Sequence, residues 1–429
     1  MKTTNKNSFD TNMLSASPLT CISIKNNPLC HSLIRTAVTG VLLSSSGLYA
    51  QTLSQAVNAQ LEQVSIPCER LLGGDLANLV LVGNLASDIC GRAFAAGATS
   101  QDTSIGSANS SSLSGDTLTL LQHAQGNEKK GQASVEAQLG SQWTLFMTAD
   151  AGTLNRDVTV AEDGYKSSIA RLLVGSTYTV NPTNTIGVAI TTQRHTGDYV
   201  GGGDFKDSAT GVRLLESYHP TAQLFFQAVA GYDSVSSQRT RTATFSEYVI
   251  PGTPYRTYTG TPTVDYSYNQ TELSVLGGYN STHGGFTLTP QVGLTWLMSD
   301  YGSYVEAGNS GLELVIHNDK RESLQSSLGI QGTYAMSTGF GVMIPQFDVR
   351  WKHEFADNSR QVDVSFAGDT RGKIFSYDTQ AADKDFYELS AGIAFVYSKG
   401  VQSFLRVQTV LGQEYYHNNI ATIGLNLEL

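Results

Sequence analysis

Residues Pro345–Phe355 read PQFDVRWKHEF. Pro345, Phe347, Val349, Trp351, His353 and Phe355 fall on one face of a period-two strand. Gln346, Asp348, Arg350, Lys352 and Glu354 fall on the other. Side chains alternate across a strand, so one face is apolar and rich in aromatics while its reverse is charged. Soluble strands centre near five or six residues, whereas about 9–11 tilted residues cross a bilayer. The length of this run favours the bilayer.

The pattern recurs outward from this stretch. Phe286–Ser299 sets Phe286, Leu288, Pro290, Val292, Leu294, Trp296 and Met298 against Thr287, Thr289, Gln291, Gly293, Thr295 and Ser299, with Leu297 the apolar exception. Tyr387–Tyr397 repeats it with Val396 as the exception, and Ala421–Leu429 repeats it at the end of the sequence. A soluble sandwich turns its oily face inward and displays Lys and Glu. Here small residues and Gln crowd the polar face, as a narrow polar lumen requires. Tyr178, Tyr232, Tyr279, Trp296, Trp351 and Tyr397 stand near strand ends, which suits aromatic girdles at two membrane interfaces. Short breaks at Asn181–Asn184, His219–Thr221, Thr282–Gly285 and Ser337–Gly339 alternate with longer ones at Thr153–Tyr165, Thr196–Lys206, Val235–Asp265, Tyr301–Glu322 and Ala356–Asp385. The spacing predicts roughly twelve antiparallel strands, with tight turns on one rim and long loops on the other.

Bulk composition agrees. Only 15% of the 429 residues are charged, against about 25% in a typical soluble domain. The net charge of −10 opposes a nucleic-acid partner, which calls for a basic surface. The sequence has no apolar run of the ~20 residues a spanning helix needs.

The first third has a different texture. An apolar stretch in Leu33–Ala50 follows Lys25, His31 and Arg35 and ends on Leu48-Tyr49-Ala50, so residues 1–50 read as a signal peptide with an extended N-region, the alternative being a surface helix of the mature protein. Residues 51–96 read as a small helical module, with Leu53, Val57, Leu61 and Val64 on one stripe. Cys68 and Cys90 are the candidate disulfide in an exported module, the alternative being two buried thiols. Residues 97–142 combine a Ser/Gly-rich linker with a short helix N-capped by Asp116. A barrel of about twelve strands encloses roughly the width of one helix, so Asp116–Ala137 is the candidate pore helix. Glu272, Asp348, Arg350, Lys352, Glu354 and Glu388 are the candidate lumen-facing charges, with Glu128, Lys129 and Lys130 as their expected partners.

Residues 143–429 resemble the autotransporter β-domain, the translocator of type V secretion. The resemblance rests on Leu324–Asp357, on VSFAGD at Val364–Asp369, on DKDFYELSAGIAFVYSKG at Asp383–Gly400, and on the terminal strand. It implies an all-β, twelve-stranded transmembrane barrel with a helix threaded through it, behind a short α-helical N-terminal region. It also implies an N-terminal passenger exported to the cell surface. The terminal strand, with Ile423, Leu425, Leu427 and Leu429 on its apolar face, resembles the signal that the outer-membrane assembly machinery reads. Family members usually finish on Phe, and this sequence finishes on Leu429. Outer-membrane lipid, that machinery and periplasmic chaperones are the implied partners. The alternative is a porin-like channel with a periplasmic helical plug.

No Gly-x-Ser-x-Gly, P-loop or His-Glu-x-x-His motif occurs, and the eight histidines lack metal-ligand spacing. Neither a cofactor nor a metal is therefore expected. A third reading places an enzyme on the loops, with His195, Asp198, Asp383 and Asp385 as its candidates.

Overall fold

The computed structural model describes residues 142–159, 161–247, 256–370, 372–397 and 400–429. The signal segment, helical module, linker, pore helix and both Cys68 and Cys90 fall outside the described residues. Within them the chain is all strand and loop.

Five long strands open the chain's fold: β1 (Trp143–Arg156), β2 (Tyr165–Asn181), β3 (Asn184–Tyr199), β4 (Gly203–Tyr218) and β5 (Leu224–Arg241). A separate hairpin, β6 (Ala243–Glu247) with β7 (Arg256–Gly260), occupies the next connection. Then come β8 (Thr263–Tyr279), the short β9 (Ser281–His283), β10 (Phe286–Val305), β11 (Leu314–Tyr334), the short β12 (Met336–Thr338) and β13 (Gly341–Glu354). A second hairpin, β14 (Gln361–Phe366) with β15 (Phe375–Asp378), precedes β16 (Asp385–Tyr397), β17 (Val401–Leu411) and β18 (Tyr416–Glu428).

Twelve of these form a closed antiparallel barrel: β1 to β5, β8, β10, β11, β13, β16, β17 and β18. Closure is made by β1 on β18, in register from Thr144 opposite Glu428 to Arg156 opposite Tyr416. An unpaired edge would leave backbone N–H and C=O groups in lipid, each costing several kcal/mol, so a spanning sheet must close.

Burial alternates strictly along most strands. In β18, Asn418, Ile420, Thr422 and Asn426 are buried, while Ile423, Leu425 and Leu427 are exposed. Gly424 sits on the inner face because a side chain there would run into the Phe404 ring from β17. Phe146, Leu173, Leu215, Phe225, Leu276, Ile344 and Phe404 cluster inside the barrel toward the short-turn rim. Most of the remaining inward residues of the middle are polar or charged.

The long connections differ from the sequence expectation. Thr196–Lys206 is mostly strand: β3 and β4 extend to Tyr199 and from Gly203, joined by a tight turn. Gly202 and Gly203 adopt φ of 98° and 108° there, a region that only glycine enters cheaply. Likewise β5 continues to Arg241, β10 to Val305, and β11 begins at Leu314. These outer halves stay paired because their inward residues, including Tyr266, Tyr268 and Tyr301, pack together, although their outward residues are polar. The connection after β13 carries the β14–β15 hairpin, which adds to the top of β11 through Leu314 opposite Phe366.

Candidate functional site: the charged lumen

The strand period points every second side chain of each wall into a shared interior. Charged side chains brought there from opposite directions must pair, because an isolated buried charge is costly. On the wall of β13 and β16, Arg350 lies 3.1 Å from Asp348 and 3.5 Å from Glu388, and Lys352 lies 2.9 Å from Glu388. Register explains this: Arg350 stands directly opposite Glu388. Glu354 goes elsewhere, accepting hydrogen bonds from Ser323 Oγ at 2.6 Å, Gln325 Nε2 at 3.0 Å and the Leu324 amide at 2.9 Å. Glu272 is on the far wall, 4.0 Å from Arg213. The six charges singled out from sequence are all buried, yet only Asp348, Arg350, Lys352 and Glu388 form one network.

The far wall carries pairs that the sequence reading passed over. Arg213 holds Asp233 through two hydrogen bonds of 3.0 and 2.6 Å, and Thr191 Oγ1 donates to the same carboxylate at 3.1 Å. Arg171 lies 3.2 Å from Asp150. Gln291 on β10 joins the first network, accepting from Arg350 and donating to Gln331, each at 3.3 Å. Gln227 and Asn418 are buried with neither polar side-chain atom hydrogen-bonded among the described residues. These groups make the middle of the lumen polar and charged rather than apolar.

Above this level His195, Asp207, Ser237, Arg239 and Tyr199 form a second buried network. His195 Nε2 is 2.8 Å from Ser167 Oγ, and its Nδ1 is 3.6 Å from Asp207. The order Ser–His–Asp is that of a hydrolase triad. Ser167, however, directs its hydroxyl proton to the Leu154 carbonyl, and the His195 ring is fully enclosed by Tyr165 and Phe205 among others. This cluster presents no nucleophile to a substrate. The loop-enzyme candidates do not converge: His195 is inside, Asp198 is exposed outside, Asp383 accepts from the Glu414 amide, and Asp385 pairs with His353. Among the described residues no group of three His, Cys, Asp or Glu could hold a metal ion.

At the mouth, Arg241 makes two 2.6 Å hydrogen bonds to Glu306 and a third of 2.7 Å to the Leu312 carbonyl. Arg360 reaches Asp319. Outside, Ile423, Leu425, Leu427 and Leu429 are exposed on the apolar face of the β18 segment.

Comparison with known proteins fits this architecture. The family model for the autotransporter beta-domain matches residues 145–408. The translocator domain of autotransporter NalP from Neisseria meningitidis superposes with a TM-score of 0.53 at 12% identity, covering 75% of this chain and 98% of that one. The β-domain of the Bordetella autotransporter BrkA gives 0.50 at 14% identity, covering 67% and 100%. At such identities the likeness is one of fold. Lipase 1 of Photorhabdus luminescens is 25% identical over 140 residues, 33% of this chain and 21% of that protein. The chain thus spans about a fifth of the length of that curated relative.

Proposed function

The chain belongs to the autotransporter β-domain family, integral barrels of the bacterial outer membrane, and from that premise we propose that residues 143–429 export and display the segment that precedes them. The observation that carries this reading is the direction of β1. Trp143 begins β1 at the rim of short turns, opposite Tyr178, and Arg156 ends it at the rim of long connections. Short turns face the periplasm in barrels of this kind. In this proposal the segment before Trp143 starts from the periplasmic side and reaches the cell surface through the polar lumen.

In this proposal residues 1–50 direct export and are removed, 51–96 form the displayed module, and 97–142 supply the linker and the pore helix. The lumen charges hold that helix, and Cys68 and Cys90 brace the module. The exposed Ile423, Leu425, Leu427 and Leu429 serve as the edge that periplasmic chaperones and the assembly machinery handle before closure. The barrel itself carries no enzymatic role in this reading.

An epitope inserted at Ser110 and protease applied to intact cells test it. Loss of the tag while the outer membrane is whole supports export. Survival of the tag until the membrane is broken puts the module in the periplasm and favours the channel with a plug.

A further inference from the structure

Lipid-facing residues at equal height on the barrel ought to be chemically alike, and on one wall they are not. Ten positions from the short-turn end of their strands, Trp296, Leu324, Trp351, Tyr387 and Leu411 face outward. At ~3.4 Å per residue and a ~40° tilt this is about 25 Å up, the height of the apolar band and the place for a girdle. The same outward position is Thr153 on β1, Arg194 on β3, Ser208 on β4, Ser234 on β5 and Asn269 on β8, all polar, and among these the charge is on Arg194.

The register lays out this wall in rows. Ala170, Arg194, Ser208 and Ser236 stand side by side on β2 to β5, all outward. The row above is Ser168, Thr196, Lys206 and Gln238, and the next is Lys166, Asp198, Asp204 and Thr240. Two rows below Arg194 lie Val174, Ile190, Val212 and Tyr232, all strongly exposed to lipid. Arg194 and Lys206 are diagonal neighbours, within ~7–8 Å at the backbone and within reach of one head group. Lys166, Arg194 and Lys206 are exposed and make neither ion pairs nor side-chain hydrogen bonds among the described residues. By contrast Lys320, the outward cation of β11, is paired with Asp300 at 2.8 Å.

We propose that this wall binds a phosphate-bearing anionic lipid of the outer leaflet, with Arg194 and Lys206 holding its phosphates and the Ile190–Val212 rows holding its acyl chains. Charge complementarity sets the depth. Apolar rows lie below the two cations. Asp198 and Asp204, facing each other across β3 and β4, lie above and repel an anion that climbs further. Lys166 stands opposite Asp198 and offsets one of those carboxylates. Small neighbours, Ala170, Ser208 and Ser236, leave the cations reachable from the side. The continuous apolar surface beneath commits the site to a lipid rather than to free phosphate.

The full chain in zwitterionic phospholipid vesicles, doped with a bis-phosphorylated glucosamine lipid, tests this by native mass spectrometry after gentle detergent extraction. The expected result is retention of one glycolipid per barrel. That retention falls at least tenfold for Arg194→Ser with Lys206→Ser and is unchanged for Lys320→Ser. The wild-type chain with the dephosphorylated glycolipid supplies a second reading that needs no variant, and loss of retention is expected there too. Equal retention of the dephosphorylated lipid, or displacement of the glycolipid by millimolar inorganic phosphate alone, overturns the proposal. So does undiminished retention by the double variant, or loss of retention in Lys320→Ser.

Discussion

The wall of β13, β16 and β17 and the wall of β2, β3 and β4 share one lumen and one membrane. They resemble each other inside and differ outside. Inside, the first carries Lys352 and Arg350 against Glu388, and the second carries Arg171 against Asp150, with Arg213 against Asp233 beside it. Outside, at matched height, the first presents Trp351 and Tyr387 while the second presents Arg194 and Ser208. The interior is a closed space in which every charge must find a partner whichever strand supplies it. The exterior answers only to the layer of membrane beside it, so its chemistry can change from one wall to the next.

Removing one lumen charge tests the inner half of this comparison and should have the largest effect. Glu388→Leu leaves Lys352 buried without its carboxylate, and breaking a buried pair costs about 3–5 kcal/mol. Asp233→Leu should fall at the lower end of that range, because Glu272 remains 4.0 Å from Arg213. Urea unfolding in vesicles, followed by tryptophan emission and by the heat-dependent gel shift of folded barrels, reads both. A cost below ~1 kcal/mol for each would mean that the lumen is wet enough to solvate the orphaned cations, and the likeness of the two interiors would lose its meaning.

The outer half is tested by one substitution placed at two matched positions. Leu294 and Thr192 are each eight positions into their strands from the short-turn rim, and both face outward. Leu294→Arg puts a charge into the upper part of the apolar band and should cost about 1–2 kcal/mol, between the midplane and interface values. Thr192→Arg should cost only ~0–1 kcal/mol, as at an interface, because the polar layer begins lower on that wall. The same unfolding series measures both. Equal costs would show that the bilayer meets the two walls at one height and that the chemical difference is not topographic.

What the sequence disclosed follows the same division. β13 was readable because a strict alternation separates Phe347, Val349 and Trp351 from Asp348, Arg350 and Lys352. The inward Asp207 of β4 was not, since that strand, GDFKDSATGVRLLESY, has polar residues on both faces in its outer half. Above the apolar band an outward Lys206 is as welcome as an inward Asp207, and the period vanishes from composition while the backbone keeps it. The extension of β3 and β4 through Thr196–Lys206 was hidden for that reason. The partners themselves depend on register. Arg213 and Asp233 are twenty positions apart in sequence, and nothing short of the β4–β5 pairing brings them together.

The smallest effect concerns the extracellular connections, where neither lumen nor lipid dictates the chemistry. Glu313 precedes β11 in the connection from Val305 to Leu314. Burial alone would raise its pKa. Hydrogen bonds from the Ser310 amide at 2.8 Å, the Ser310 hydroxyl at 2.7 Å and the Gly311 amide at 2.9 Å outweigh that and hold it below the ordinary carboxylate value. A depressed pKa means that the folded turn binds protons more weakly than the unfolded one. Its contribution to stability is therefore complete above the unfolded pKa of about 4.3 and is lost as pH falls through the lower folded value. Amide exchange at Ser310, Gly311 and Leu312 should accelerate, relative to the intrinsic rate at each pH, on going from pH 6 to pH 3, with the barrel strands unaffected. Glu313→Gln should show the faster exchange already at pH 6 and little further change. A turn whose protection is the same at both pH values would mean that the backbone pairing of Glu306 with Leu314, rather than the carboxylate, holds it.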